Sequence, residues 1–393
     1  MRLIIKGFLC VAASALVLMG CSNKINQTGA WLVSTDSSQV PTYFDSKTDS
    51  AASTTTQVSI GLATGLSSTL ILGKVPWTEA DLLIIFSSLD SVDSAQKILS
   101  SSITLYRTAY LLQPSGENVN NMTFAAYSMD SSWSSTTFTW DSVNTVGYGS
   151  QNFVTSTAMT DSTIILSLDS TIVRQWALAT SDSSVQNNGL ILKPQNTNGV
   201  FSIYGPVYGV AGRIPMCTVI FINKTGTLDT VTSTLSAATS IGQSYVTTQA
   251  PQGNYGIVQA GTGERENVSF DLAKVPRFSI INKATLTLFA DTTAQAPYTR
   301  SGVVDSLYAY YTTDLATGGV SSGYPAIGVP SGNRYTFNVG MIVQHMVNTQ
   351  NNGFMILQYN ELNNIDLRFL YNGNAPDSLR PRLTVIYTPT SKR

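Results

Sequence analysis

Five tryptophans and eighteen tyrosines are the side chains here best suited to stacking on a sugar ring. A glycan platform needs flat, exposed rings on one face, with polar groups nearby to fix orientation. Four residues meet part of that requirement. Trp77 sits in GKVPWTEA (73–80), a loop context that also holds Lys74, Glu79 and Asp81. Trp133 lies near the start of the aromatic stretch SSWSSTTFTW (131–140). Tyr308 and Tyr310, in SLYAYYTTD (306–314), alternate so that a strand would carry both rings on one face. Read as a strand, 131–140 places Thr136, Phe138 and Trp140 on one side and Trp133 on the other. That parity suits packing better than a platform.

Other chemistry is sparse. The single histidine, His345, follows Ile342 and Val343 in a short amphipathic turn and reads as a surface or capping residue. Zinc sites need several His or Cys ligands, so no metal site is expected. Cys217 in PMCTVIF reads as a buried, inert thiol. The carboxylates fall mostly in Ser-rich turns such as SLDSVDS (88–94) and TSDSS (180–184). Nothing in the pattern brings two of them to the separation of about 5–10 Å that glycoside hydrolysis uses. No glycine-rich phosphate loop is present. No catalytic residue and no cofactor are expected. Charged residues make up only 11% and the net charge is -1, so no basic surface points to nucleic acid, and the neutral surface suits uncharged glycans.

The elements that would position these residues are short alternating runs: STLILG (68–73), SITLYR (102–107), STIILSL (162–168), GLILKP (189–194) and RLTVIYT (382–388). Punctuated by Gly, Pro, Asn and Ser, they predict an all-β fold of antiparallel sandwich type. Only STIVRQWALA (170–179) and VGMIVQHMVNT (339–349) carry helical patterning, as short helical turns.

Those two turns expose an internal repeat. IVRQW (172–176) matches IVQHM (342–346), and each precedes an Asn-Asn-Gly strand, NNGLIL (187–192) and NNGFMI (351–356). IPMCTVIF (214–221) matches RPRLTVIY (380–387), and SSITLY (101–106) matches ATLTLF (284–289). LLIIFSSL (82–89) stands where ENVSFDLAKV (266–275) stands. The ordered matches predict two tandem β-sandwich copies, 58–222 and 235–388, joined by a linker at 223–234.

The N-terminus carries Arg2 and Lys6, then an apolar run from Phe8 to Met19 of the length of a secretory signal. It ends in Leu18-Met19-Gly20-Cys21, which resembles the lipobox of bacterial lipoproteins. The resemblance implies a signal peptide over 1–20, lipidation of Cys21, and attachment to a membrane through that lipid. Ser22 follows Cys21, where that family uses Asp for inner-membrane retention, which points to the outer membrane. Residues 21–57, rich in Ser and Thr, read as a lipidated tether.

The order of elements resembles DNRLRE-domain modules, bacterial extracellular β-sandwiches similar to TGF-β propeptide-like domains and to carbohydrate-binding modules. SYVTTQAPQGNYGIVQAG (244–261), VSFDL (268–272) and ATLTLF carry the resemblance in the second copy. SSWSSTTFTW, IVRQW and NNGLIL carry it in the first. The resemblance implies jelly-roll-like sandwiches without catalysis. The function expected is a membrane-anchored, non-catalytic module that recognises polysaccharide at the cell surface; the alternative is a structural or adhesive envelope protein that binds another protein without sugar recognition. Exposed aromatics in a row on one sheet would favour the first; an apolar patch or open strand edge would favour the second.

Overall fold

The computed structural model describes residues 40–390, apart from short segments at 52, 88, 90–91, 93–96, 207–211, 247–252, 301–304, 322, 324 and 350–352. The expected signal segment and Cys21 lie outside the described residues.

Alternating β-branched and polar residues suit a pleated, half-buried surface, and the runs identified above form strands. β1 (Thr42–Asp45) and β2 (Ser53–Ser59) come first. A first half follows: β3 (Thr69–Val75), β4 (Thr78–Phe86), β5 (Lys97–Leu112), β6 (Phe124–Ser128), β7 (Val154–Met159), β8 (Thr163–Leu168), β9 (Leu190–Pro194), β10 (Gly199–Tyr204), β11 (Met216–Ile222) and β12 (Leu228–Ser244). The second half holds β13 (Tyr255–Gln259), β14 (Glu264–Phe270), β15 (Ile280–Phe289), β16 (Leu307–Asp314), β17 (Gly319–Val320), β18 (Ala326–Ser331), β19 (Arg334–Asn338), β20 (Phe354–Gln358), β21 (Leu367–Tyr371) and β22 (Arg382–Thr388). The fold is all-β, sandwich-like and antiparallel, and the described residues form one 12-stranded and one 10-stranded sheet.

The internal repeat reappears in a set of strand pairings common to both halves, although β5 also pairs with β10 in the first and β16 with β18 in the second. In the first half β3 pairs with β4 and β10, β9 with β4 and β6, β8 with β5 and β7, and β11 with β5. In the second half β13 pairs with β14 and β21, β20 with β14 and β16, β19 with β15 and β18, and β22 with β15. The strands correspond in chain order. Each half has its own apolar cluster, one drawing on Leu82, Ile103, Leu166, Leu192 and Val219, the other on Val268, Leu286, Phe337, Ile356 and Val385.

The helical turns also correspond. The Ser170–Ser181 helix is capped by Asp169, whose carboxylate accepts the Thr171 N–H at 2.8 Å, and it buries Ile172, Val173 and Trp176. The Gly340–Asn348 helix buries Ile342, Val343 and Met346 in the other core. After the first helix, Gly189 takes a φ of 77°, and a Cβ there would meet the Ile84 carbonyl at 2.2 Å. Glycine is required by both backbone conformation and space.

Among the described residues the expected tether contains β1 and most of β2, and the expected linker is a tight turn that runs into β12. Residues 223–234 enter β12, a 17-residue strand that pairs first with β11 and then, past Leu235, with β4. β12 completes the first half. The corresponding role in the second half belongs to β1, which pairs with β22, and β2, which pairs with β14. The segment SKTDSAASTTTQ (46–57), read as a flexible tether because it is rich in Ser, Thr and Asp, contains most of β2. Its order comes from a distant partner: Gln57 accepts the Ile257 N–H at 2.9 Å and donates to the Ile257 and Arg265 carbonyls.

A third apolar cluster is shared by the halves. Ile71, Val75, Trp77, Tyr110, Leu112 and Val246 meet Ile365, Leu367 and Phe369 there. Beside it the Tyr110 hydroxyl donates to Asp366 Oδ1 at 3.2 Å, and Arg300 lies 4.6 Å over the Tyr110 ring.

Candidate functional site

Trp77 occupies the tight turn between β3 and β4. That turn points at the other half, so the indole is only 7% exposed and meets Tyr298 edge-on at 5.1 Å. It closes the seam and offers no exposed ring to a glycan, which corrects the expectation of a loop platform.

Trp133 is half-buried. Its Nε1 donates to the Asn188 carbonyl at 2.8 Å, and its ring contacts Phe138 edge-on at 5.9 Å. The stretch 131–140 is a series of turns with no strand. Phe138 packs inward at 3% exposure, and Trp140 begins a short helical turn, Trp140–Ser142. The runs of serine and threonine here offer turn hydrogen bonds instead of a ladder, as between Ser134 and Thr136 and between Thr139 and Ser142. Together with Tyr127 and Tyr148, these rings cover Leu83 of β4, Ile191 of β9 and Ile241 of β12.

Beneath that cover lies a charged cluster. Register places Leu82 opposite Leu192, so Asp81 and Lys193 are neighbours across β4 and β9, and they form an ion pair. Lys193 also reaches Glu79 at 3.6 Å, and Lys74 pairs with Glu79 at 2.5 Å. The ammonium of Lys193 stands 5.4 Å from the Trp140 ring centre and 5.7 Å from that of Tyr148. Burial pushes the Asp81 carboxyl up to about 7, against the pull of Lys193. The sequence showed Lys74, Glu79 and Asp81 together. Lys193 could not be added without the strand register.

Tyr308 and Tyr310 share a face of β16 as expected, with ring centres 5.6 Å apart. Tyr359, which was not anticipated, stacks on Tyr308 at 4.8 Å with an interplanar angle of 28°. It is 46% exposed, while Tyr308 and Tyr310 are half-buried. The floor of this patch is Val58, Met355 and Leu357, flanked by Ile60 and Val320. Val58 belongs to β2, so the N-terminal strand helps to build it. Below, Arg265 clamps Glu361 with two charge-assisted hydrogen bonds, at 2.8 and 2.7 Å. Burial raises the Tyr310 hydroxyl above the usual tyrosine range, and Glu361 adds to the effect. Of the four residues expected to bind a ligand, only these two tyrosines fall on one accessible patch.

No family model matches the chain, and no curated protein matches it either. Among solved structures, domains D2 and D3 of the major pilin SpaD from Corynebacterium diphtheriae align at 10% identity, with a TM-score of 0.21. That alignment covers 82% of this chain and 89% of the pilin chain. BcpA, the major pilin subunit of Bacillus cereus, aligns at 9% identity and a TM-score of 0.18 over 83% of this chain and 68% of that one. At scores this low the alignments carry nothing further for this chain.

His345 is exposed and lies edge-on to Tyr311 at 4.5 Å. Burial pushes the Cys217 thiol up to about 12, leaving it protonated and inert as expected. Glu266, fully enclosed in the second half, is pushed up to about 8 by burial. Asp291 accepts hydrogen bonds from Tyr255 at 2.7 Å and Tyr371 at 3.0 Å, and caps Thr293 and Ala294. Among the described residues no group of three or more His, Cys, Asp or Glu converges as a metal site, and no helix is long and apolar enough to cross a membrane.

Proposed function

We propose that this chain is an exported, lipid-anchored protein of the cell envelope with a structural or adhesive role. In this reading it is built from two tandem jelly-roll-like β-sandwiches of the DNRLRE kind, held at the outer membrane through Cys21, and binds a protein partner without catalysis. The observation that carries it is the use made of Trp77. The indole best placed by sequence to meet a glycan is spent on joining the halves. The paired map of strands supports the tandem architecture, and the engagement of Asp81 and Glu79 with lysines supports a non-catalytic role.

A polysaccharide at the cell surface is the second reading, and one feature favours it. Tyr308, Tyr310 and Tyr359 form an aromatic patch on one sheet face, with Tyr359 open to solvent. Stacked rings cover one face of each other, which leaves less flat surface than a sugar platform uses.

Affinity electrophoresis separates the readings. The chain from Ser22 onward would be run through gels containing neutral and acidic polysaccharides. The structural reading expects no retardation by any polymer. Retardation that disappears in Tyr308→Ala and Tyr359→Ala would overturn it in favour of glycan binding. Membrane partition of the full chain, lost in Cys21→Ser, tests the anchor separately.

A further inference from the structure

The strands that complete the two halves differ in how they are attached. β12 follows β11 through the tight turn at Asn223–Thr227, where the Asn223 N–H donates to the Thr227 carbonyl at 3.0 Å. Its partner is therefore adjacent in the chain. β1 and β2 are attached to β3 of the first half, yet they complete the second half, whose accepting strands β14 and β22 lie beyond the whole first half. Only the segment 60–68 links donor strands to the body they leave.

That segment changes allegiance within a few residues. The Ile60 N–H donates to the Gly263 carbonyl at 3.1 Å, on the second half. The Thr64 hydroxyl donates to the Ser240 carbonyl at 2.9 Å, on the first. Gly61 and Gly65 flank the crossing and impose the least backbone restriction. Fully extended, 60–68 spans roughly 30 Å.

The fit is also less continuous than in the first half. β12 passes along its partners as one 17-residue strand, whereas β1 and β2 are separated, and a cavity of about 300 Å³ lies beside the connection between β1 and β2. Ser46, Ser50, Phe289, Arg380 and Arg382 line it.

We propose that β1 and β2 of one chain complete the second half of another copy, linking copies head to tail. The acceptor contacts would be those already made within the chain: Phe44 in the core, Asp45 on Arg382, and β2 along β14. Exchange therefore alters little beyond the hinge at 60–68, the usual condition for strand swapping. Each chain is donor at one end and acceptor at the other, so the contact is heterologous and extends into filaments unless a ring closes. The intramolecular form is favoured by effective concentrations of about millimolar order for a short flexible link. Crowding on a membrane would bring copies into that range, and the proposal depends on the envelope reading for this one condition.

Cysteine trapping tests it. Thr54 and Ser269 are exposed or half-buried cross-strand partners whose hydroxyls lie 2.7 Å apart. Thr54→Cys and Ser269→Cys are made singly and together in the chain from Ser22 onward, whose native thiol Cys217 is buried. The two single variants are unfolded, mixed at high concentration, refolded and oxidised. The expected result is a mixed disulfide dimer, and a ladder of covalent oligomers from the double variant that shortens on dilution. A double variant that closes only within one chain at every concentration, with no mixed dimer, overturns the proposal. So does a double variant that forms no disulfide, because β2 would then not occupy this register. A deletion of Gly61–Ala63 provides a second measurement. It should shift the folded protein to a mass of at least two chains, and a folded monomer would count against exchange. Neither result depends on the polysaccharide gels, so this proposal and the functional reading can fail independently.

Discussion

Phe44 and Val385 are cross-strand partners, and both are buried in the second core. The segment expected to be a loose tether thus contains an anchor inside the half farthest from it in sequence.

Phe44→Ala should cost about 3–5 kcal/mol, the range for truncating a buried aromatic. Urea unfolding followed by tryptophan fluorescence and far-UV circular dichroism measures it. An unchanged midpoint would return 42–57 to the status of a tether.

Asp45 gives the same strand a pH dependence. The Arg382 guanidinium beside it, assisted by the Lys47 N–H, holds its carboxyl below the usual carboxylate range. A depressed value means that the stabilisation is present above the ordinary aspartate pKa of about 4 and is lost as pH falls through the lower folded value. Unfolding midpoints between about pH 2 and 5 should therefore fall with acid, and Arg382→Met should flatten that slope. A slope identical in the two proteins would remove the ion pair from the account.

Glu266 has the opposite sign. Burial raises it to about 8, so between its ordinary value of 4.5 and that point the folded chain binds a proton that the unfolded chain has released. Stability should decline as pH rises across this window, by roughly 3–5 kcal/mol if Glu266 acts alone. Glu266→Gln keeps the shape without the charge. It should raise the unfolding midpoint near pH 8 and change it little near pH 5. Equal effects at both values would show that the carboxyl is not held protonated.

Trp77 and Tyr359 should separate packing from surface. Trp77→Ala removes the seam indole and should cost about 3–5 kcal/mol. Tyr359→Ala, at an exposed position, should stay within about 0.5–1 kcal/mol. Calorimetry of both variants decides it. A mild Trp77→Ala would mean that the halves are not joined through this contact.

Much of the strand content was legible because apolar alternation is local. SITLYR and RLTVIYT each announce a half-buried strand without reference to a partner, STLILG is a continuous apolar run that is buried on both faces, and the helical turns around Trp176 and Met346 announce themselves by their apolar spacing. The repeat was legible for the same reason. STTTQVS was not, since its single buried apolar residue, Val58, leaves no period to read. SSWSSTTFTW misled in the other direction: its alternation was real, yet its hydroxyls serve turns.

Residue types alone determined the all-β class, the doubled order of elements and the shared face of Tyr308 and Tyr310. Tertiary structure decided which half each completing strand serves, that Trp77 faces a seam, and that Lys193 meets Asp81. The physical reason is range. Periodicity reports which face of an element is apolar, but the surface that covers that face is supplied by residues hundreds of positions away, as Val385 supplies it for Phe44.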